Sequence, residues 1–180
     1  MPRTGFPNPT VRRSLECRED SGRYRCPMHD VTLPASLELL REELLEVSPR
    51  DRLELLSEIG AELPAVDLEN VAEFERVIEC QSPVYFEAAL TPDARIRLRI
   101  SVPPGAPMTR GFAAALVQGV DGLEPEALLS LPEDLPSVLG LADLVSPLRR
   151  SGMVALQARA KRQLLERIAA ASHSEEDSGR

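Results

Sequence analysis

Two spacings of apolar residues follow one another along this chain. From Pro34 they recur every three or four positions, with Leu37, Leu40, Leu44 and Val47 on one face and Glu42, Glu43 and Glu46 off it, which predicts an amphipathic helix. A second helix follows at once. Ser48 is placed to cap it, Pro49 suits its first position, Asp51 favours its positive end, and Leu53, Leu56, Gly60 and Leu63 mark the buried side before Pro64 ends it.

Beyond Pro64 the period shortens to two. Ile96, Leu98, Ile100 and Val102 alternate with Arg95, Arg97, Arg99 and Ser101, the pattern of a half-buried strand. Residues 84–90 precede it across Thr91, Pro92, Asp93 and Ala94, a turn sequence, so the two segments are expected to form an antiparallel hairpin. Residues 73–78 make a weaker third strand. Helical spacing returns over 107–120, where Gly111, Ala113, Ala114 and Ala115 permit close packing, and short helices are expected near Pro125 and Pro136. A long helix starts at Ser146 and Pro147 and turns Met153, Leu156, Ala160, Leu164 and Ile168 inward. This order predicts an α+β domain: a small three-stranded antiparallel meander packed against several helices.

The ends differ from this body. Residues 1–31 are rich in Pro, Arg, Ser and Gly and show neither period, so they read as a flexible arm. Residues 172–180 read as a flexible tail, leaving one domain over 32–171.

Composition sharpens the picture at three points. Hydrophobic residues are 43% of the chain while aromatics are 3% and Trp is absent, so the core has to be aliphatic, which suits helices more than a β-sandwich. No run approaches the roughly 20 apolar residues of a membrane span, and no signal-peptide order is seen, so a cytoplasmic protein without membrane contact is expected. The net charge of −8 is uneven. Residues 32–90 hold 14 acidic against 4 basic residues, and residues 91–171 hold 8 against 10, a distribution that disfavours nucleic acid and fits either solvated helix faces or a protein-binding surface.

Much chemistry is absent from the sequence. There is no phosphate loop, dinucleotide fingerprint or H-E-x-x-H helix, and the only histidines, His29 and His173, lie in the two ends. Cys17, Cys26 and His29 offer soft or borderline ligands but no identifiable fourth, so no metal site is assigned and the arm stands as an alternative metal-binding module. Three cysteines do not describe a disulfide framework.

Cys80 is set apart by its position. It lies in the loop Glu79, Cys80, Gln81, Ser82, Pro83 between two strand candidates, where a rigid scaffold can present a sulfur; the ordinary role of such a residue is buried structural packing. The apolar neighbours Ile78 and Val84 are expected to shelter it.

The segments around this loop resemble the SufE family over residues 53–164. The resemblance is carried by Leu63 and Pro64 at a helix end, by Val77, Ile78, Glu79, Cys80, Gln81 and Ser82, by Arg110 and Gly111 opening a helix, and by Ser146, Pro147, Leu148 and Arg149 with Gly152 and Met153. Family members usually have Gly where this chain has Glu79. The resemblance implies a SufE/NifU-like fold and a cysteine, here Cys80, that takes persulfide sulfur from a pyridoxal-phosphate-dependent cysteine desulfurase of the SufS kind and passes it to an iron–sulfur scaffold. It implies that Gln81, Ser82, Arg110 and Arg149 support the site or bind the partner. No cofactor belongs to this chain in that reading, and its sulfur transfer is not the activity of a stand-alone enzyme. A protein that docks on a desulfurase and regulates it without carrying sulfur is the second alternative.

Overall fold

A computed structural model of the 180-residue chain describes residues 18–20, 23–25, 33–66 and 74–178. The chain divides into two units, residues 1–31 and residues 32–180. In the first, β1 (Arg18–Asp20) and β2 (Arg23–Arg25) pair antiparallel, with Glu19 opposite Tyr24. Strands of three residues are too short to register as a period in the sequence.

The second unit opens with α1 (Ala35–Glu46) and α2 (Pro49–Ala61). Ser48 caps α2 as its sequence requires, accepting from the Asp51 N–H and donating to the Asp51 carboxylate at 2.7 Å. The Arg52 guanidinium donates to the carbonyls of Leu44, Val47 and Gly140, so the junction of the two helices is tied to a turn far along the chain.

The sheet follows in the order β3 (Glu75–Arg76), β4 (Tyr85–Leu90), β5 (Ile96–Ser101), antiparallel throughout. Phe86 stands opposite Ile100 and Ala88 opposite Leu98, all buried, while Glu87 stands opposite Arg99 on the other face and accepts from its Nε at 2.6 Å. The alternation in residues 96–102 thus sorts the side chains as its period requires. The β4–β5 turn falls at Thr91 to Ala94, and Ala94 takes the left-handed conformation there, φ 55°.

Next come α3 (Pro107–Val120), the short helices α4 (Pro125–Leu129) and α5 (Leu135–Val138), and α6 (Pro147–Ser178). The fold is α+β, a three-stranded meander with helices packed on it. Phe86, Ile96 and Ile100 from the sheet share one core with Leu37, Leu44 and Leu56 from α1 and α2, Phe112 and Leu116 from α3, and Met153, Leu156, Ala160 and Leu164 from α6. The small residues of α3 bring α2 very close: a methyl group on Gly111 would lie 2.1 Å from the Leu56 carbonyl oxygen.

Helix α6 continues through Ser178, into the residues that the sequence reads as a tail. Once a helix is nucleated, each added residue makes a backbone hydrogen bond without a second nucleation cost, and Ala169, Ala170 and Ala171 are the best residues for propagation.

Candidate functional site

The loop between β3 and β4 is closed at its base by the Val77 N–H donating to the Val84 carbonyl at 2.9 Å. Within it the Cys80 N–H donates back to the Val77 carbonyl at 3.2 Å, forming a tight turn with Ile78 and Glu79 at its corners. A corner residue points away from the turn. Val77 and Val84 are therefore fully buried while Ile78 is 72% exposed, so Ile78 does not shelter the sulfur as its apolar character led us to expect.

The thiol of Cys80 is free and half-buried. It lines a cleft of about 110 Å³ together with Gln81 and Ser82 from its own loop, with Gly105 to Thr109 at the entry to α3, and with Leu148, Arg149 and Gly152 at the start of α6. Two helix N-termini thus border the cleft, and their dipoles favour negative charge there. On α3 the first position is Pro107 and no side chain caps the helix; on α6 the Ser146 hydroxyl accepts from the Arg149 N–H at 3.4 Å.

Burial raises the Cys80 thiol above the ordinary cysteine range, and the adjacent Glu79 carboxylate raises it further. Glu79 itself does not turn into the cleft. Arg159 on α6 grips its carboxylate with two hydrogen bonds of 3.1 and 2.8 Å and holds its pKa down, while a third nitrogen of Arg159 reaches Glu75 on β3 at 2.5 Å. Arg162 extends the chain of ion pairs from Glu75 to Glu166. One arginine therefore fastens both the Cys80 loop and the edge strand to α6.

The sequence-predicted residues separate into two groups. Cys80, Gln81, Ser82 and Arg149 meet at the cleft. Arg110 is not among its lining residues: its Nε donates to the Gly60 carbonyl at 3.2 Å and its terminal nitrogen to the Val102 carbonyl at 2.7 Å, joining α2, α3 and the end of β5.

The family model described as the Fe-S metabolism associated domain, SufE, matches residues 38–164, which contain the loop and every residue lining the cleft. The chain belongs to the SufE family. An uncharacterized SufE-like protein of Mycobacterium tuberculosis is 44% identical over 137 residues, covering 75% of this chain and 95% of that protein. A chloroplastic quinolinate synthase of Nicotiana tabacum is 30% identical over 114 residues, covering 63% of this chain but 16% of that protein. Among solved structures, the solution structure of a hypothetical protein from Thermus thermophilus superposes with a TM-score of 0.68 at 30% identity, over 77% of this chain and 99% of that one. These matches assign the chain to Fe–S metabolism and to the α+β fold of its relatives.

Within this SufE protein, the Arg110 and Gly111 pair is explained by helix packing, with one residue bridging carbonyls and the other admitting α2. Sequence reading did not single out Arg159, nor the packing of Gly152 against Cys80, where an added methyl would lie 2.7 Å from the sulfur. Their spacing carried a signal, since residues 152 and 159 lie two turns apart on one face of α6. Among the described residues there is no group of three or more metal-ligating side chains, and no helix is long and apolar enough to cross a membrane. Cys17, Cys26 and His29 lie outside the described residues.

Proposed function

We propose that this SufE protein accepts sulfane sulfur on Cys80 from a cysteine desulfurase and delivers it for iron–sulfur cluster assembly. The observation that carries this reading is a free, half-buried thiol in the β3–β4 loop, opening on a cleft built from that loop and two helix starts. In the transfer, the Cys80 thiolate attacks the outer sulfur of a cysteine persulfide on the donor. The donor's sulfur–sulfur bond breaks, its inner sulfur leaves as thiolate and takes up the proton released by Cys80, and Cys80 becomes the persulfide. No net oxidation occurs, so no further reagent is required. Because burial and Glu79 both disfavour the thiolate in the free protein, the reading assigns part of the activation to docking of the donor.

A pyridoxal-phosphate-dependent desulfurase of the SufS kind is the proposed partner, and an Fe–S scaffold is the proposed recipient. The deciding experiment measures sulfide release by a cognate desulfurase with cysteine, with and without this chain. Stimulation supports the reading; its absence at saturating protein removes it.

Two further outcomes follow. Arg149 is exposed at the mouth of the cleft, so Arg149→Ala is expected to lower stimulation about tenfold, the loss of one charge-assisted contact, while Tm moves by about 2 °C or less. Equal stimulation by the mutant would remove Arg149 from the site. The acidic balance of residues 32–90 predicts electrostatic encounter with a basic donor surface, so affinity should fall several-fold as salt rises toward and beyond physiological strength, where the screening length is about 8 Å. A salt-independent Kd would assign the contact to apolar surface instead.

The upward push on the thiol also favours a second reading, in which the protein docks and regulates without carrying sulfur. That reading requires stimulation to survive the loss of the Cys80 sulfur.

A further inference from the structure

Gly152 sits in the second turn of α6, fully inside the helix and buried. Glycine is the least favourable helix-interior residue after proline, and its backbone here needs no left-handed conformation, since the positive-φ glycines are Gly122 and Gly140. The reason for a glycine at this position has to be steric. A methyl group on Gly152 would lie 2.7 Å from the Cys80 Sγ, a separation real Cβ atoms essentially never show, whereas its next neighbours, the Cys80 Cα at 3.6 Å and the Glu79 carbonyl oxygen at 3.7 Å, are in ordinary contact. The sulfur alone occupies the space a side chain would take.

The same helix fixes the loop from a second point. Two turns further on, Arg159 holds Glu79 through both carboxylate oxygens, so the residue before the cysteine is tied down while the cysteine rests on bare backbone. The sulfur is covered on the α6 side and open toward the cleft bounded by Met108, Thr109 and Arg149.

We propose that Gly152 is a positioning residue: its bare Cα is the seat on which the Cys80 thiol rests, and this seat leaves the sulfur open only through the cleft. A donor sulfur then reaches Cys80 from the cleft side, and a sulfur atom added to Cys80 extends into the cleft. The consequence for transfer rests on the acceptor reading; the seat itself is tested without any donor.

The experiment is a thermal double-mutant cycle on the full chain, Gly152→Ala in the presence of Cys80 and in a Cys80→Ala background, joined to the pH profile of Cys80 alkylation by iodoacetamide in the Cys17→Ser/Cys26→Ser protein. With the sulfur present, Gly152→Ala is expected to lower Tm. With the sulfur removed, the added methyl has room, and the better helix propensity of Ala is expected to raise Tm. Lifted off the helix, the thiol loses part of its burial, so Gly152→Ala is expected to move the alkylation midpoint down and to speed alkylation at neutral pH about threefold to tenfold. A Tm change of the same sign in both backgrounds, or an unmoved alkylation profile, overturns the seat. Should Gly152→Ala fail to fold, the Cys80→Ala background decides: a folded, more stable double mutant supports the proposal and a second failure overturns it. If the parent chain takes no sulfur from a desulfurase, the acceptor reading fails while these two measurements still judge the seat.

Discussion

Cys80→Ser is expected to abolish the proposed desulfurase stimulation, lowering it to the level of the desulfurase alone, while leaving the fold intact. The substitution exchanges one half-buried polarizable atom for a smaller hydroxyl in the β3–β4 loop, a change expected to cost about 1 kcal/mol or less because the thiol holds no ion pair and the loop is fastened through Val77, Val84 and Glu79. The chemistry loses everything, since a serine hydroxyl cannot carry sulfane sulfur by thiol exchange. Peptide mass spectrometry after incubation with desulfurase and cysteine should show sulfur added to the peptide containing Cys80, and a reductant should remove it. Replacing both Cys17 and Cys26 with Ser should leave turnover nearly unchanged. The reading fails if persulfide sulfur appears only on Cys17 or Cys26, and stimulation that survives Cys80→Ser would establish the regulator reading.

The free protein should also show slow alkylation of Cys80, with a midpoint above the ordinary cysteine range. Burial, the larger cause, and Glu79, the second, both stabilise the protonated thiol, so reactivity rises with pH as the thiolate becomes populated.

Gly111→Ala is expected to destabilise the chain by about 3 kcal/mol or more, because the clash is with backbone that cannot rotate away. The added methyl would meet the Leu56 carbonyl oxygen at 2.1 Å and the Leu56 Cγ at 2.5 Å, and Gly60 on the facing helix already lies where a methyl would be 2.7 Å from the Gly111 nitrogen. Relief requires α2 and α3 to move apart, which also stretches the Arg110 bonds to Gly60 and Val102. The gain in helix propensity from Ala, about 1 kcal/mol, offsets only part of this. For a chain of this size the net loss corresponds to a Tm lowered by roughly 6–12 °C, or to failure to fold. Gly105→Ala is the control: nothing lies within 4 Å of its added methyl, so Tm should hardly change. Equal Tm values for the two variants would mean that α2 and α3 are not in backbone contact at Gly111.

The two variants probe different parts of one arrangement. The crossing of α2 and α3 fixes where the first turn of α3 stands, and that turn is one wall of the cleft beside Cys80. Damage at Gly111 is therefore expected to reduce transfer through loss of fold, whereas damage at Cys80 reduces it with the fold intact.

What the sequence determined by itself was whatever a local period or a local rule encodes. Alternation of Ile96, Leu98 and Ile100 with arginines settled a half-buried strand, because side chains on a pleated backbone can only alternate. Ser48, Pro49 and Asp51 settled the start of α2 by their own hydrogen-bonding chemistry. The ordered segments around Cys80 were enough to place the chain in its family and the cysteine in a loop between strands.

Only the tertiary structure decided which distant groups meet. Ile78 looked like cover for the sulfur, but a tight turn set it outward and left burial to Val77 and Val84. Arg110 was expected to support the site or bind the partner, and the close crossing of two helices puts two backbone carbonyls within its reach and keeps it out of the cleft lining. Glu79 and Arg159 are 80 residues apart, as nothing in either neighbourhood could foretell. The glycine beneath the sulfur was visible as a letter, Gly152, but its purpose was not. A local pattern reports which face of an element is buried, whereas the identity of the atom packed against that face depends on how separate elements cross, and an offset of one turn along α6 would have set a different residue under Cys80.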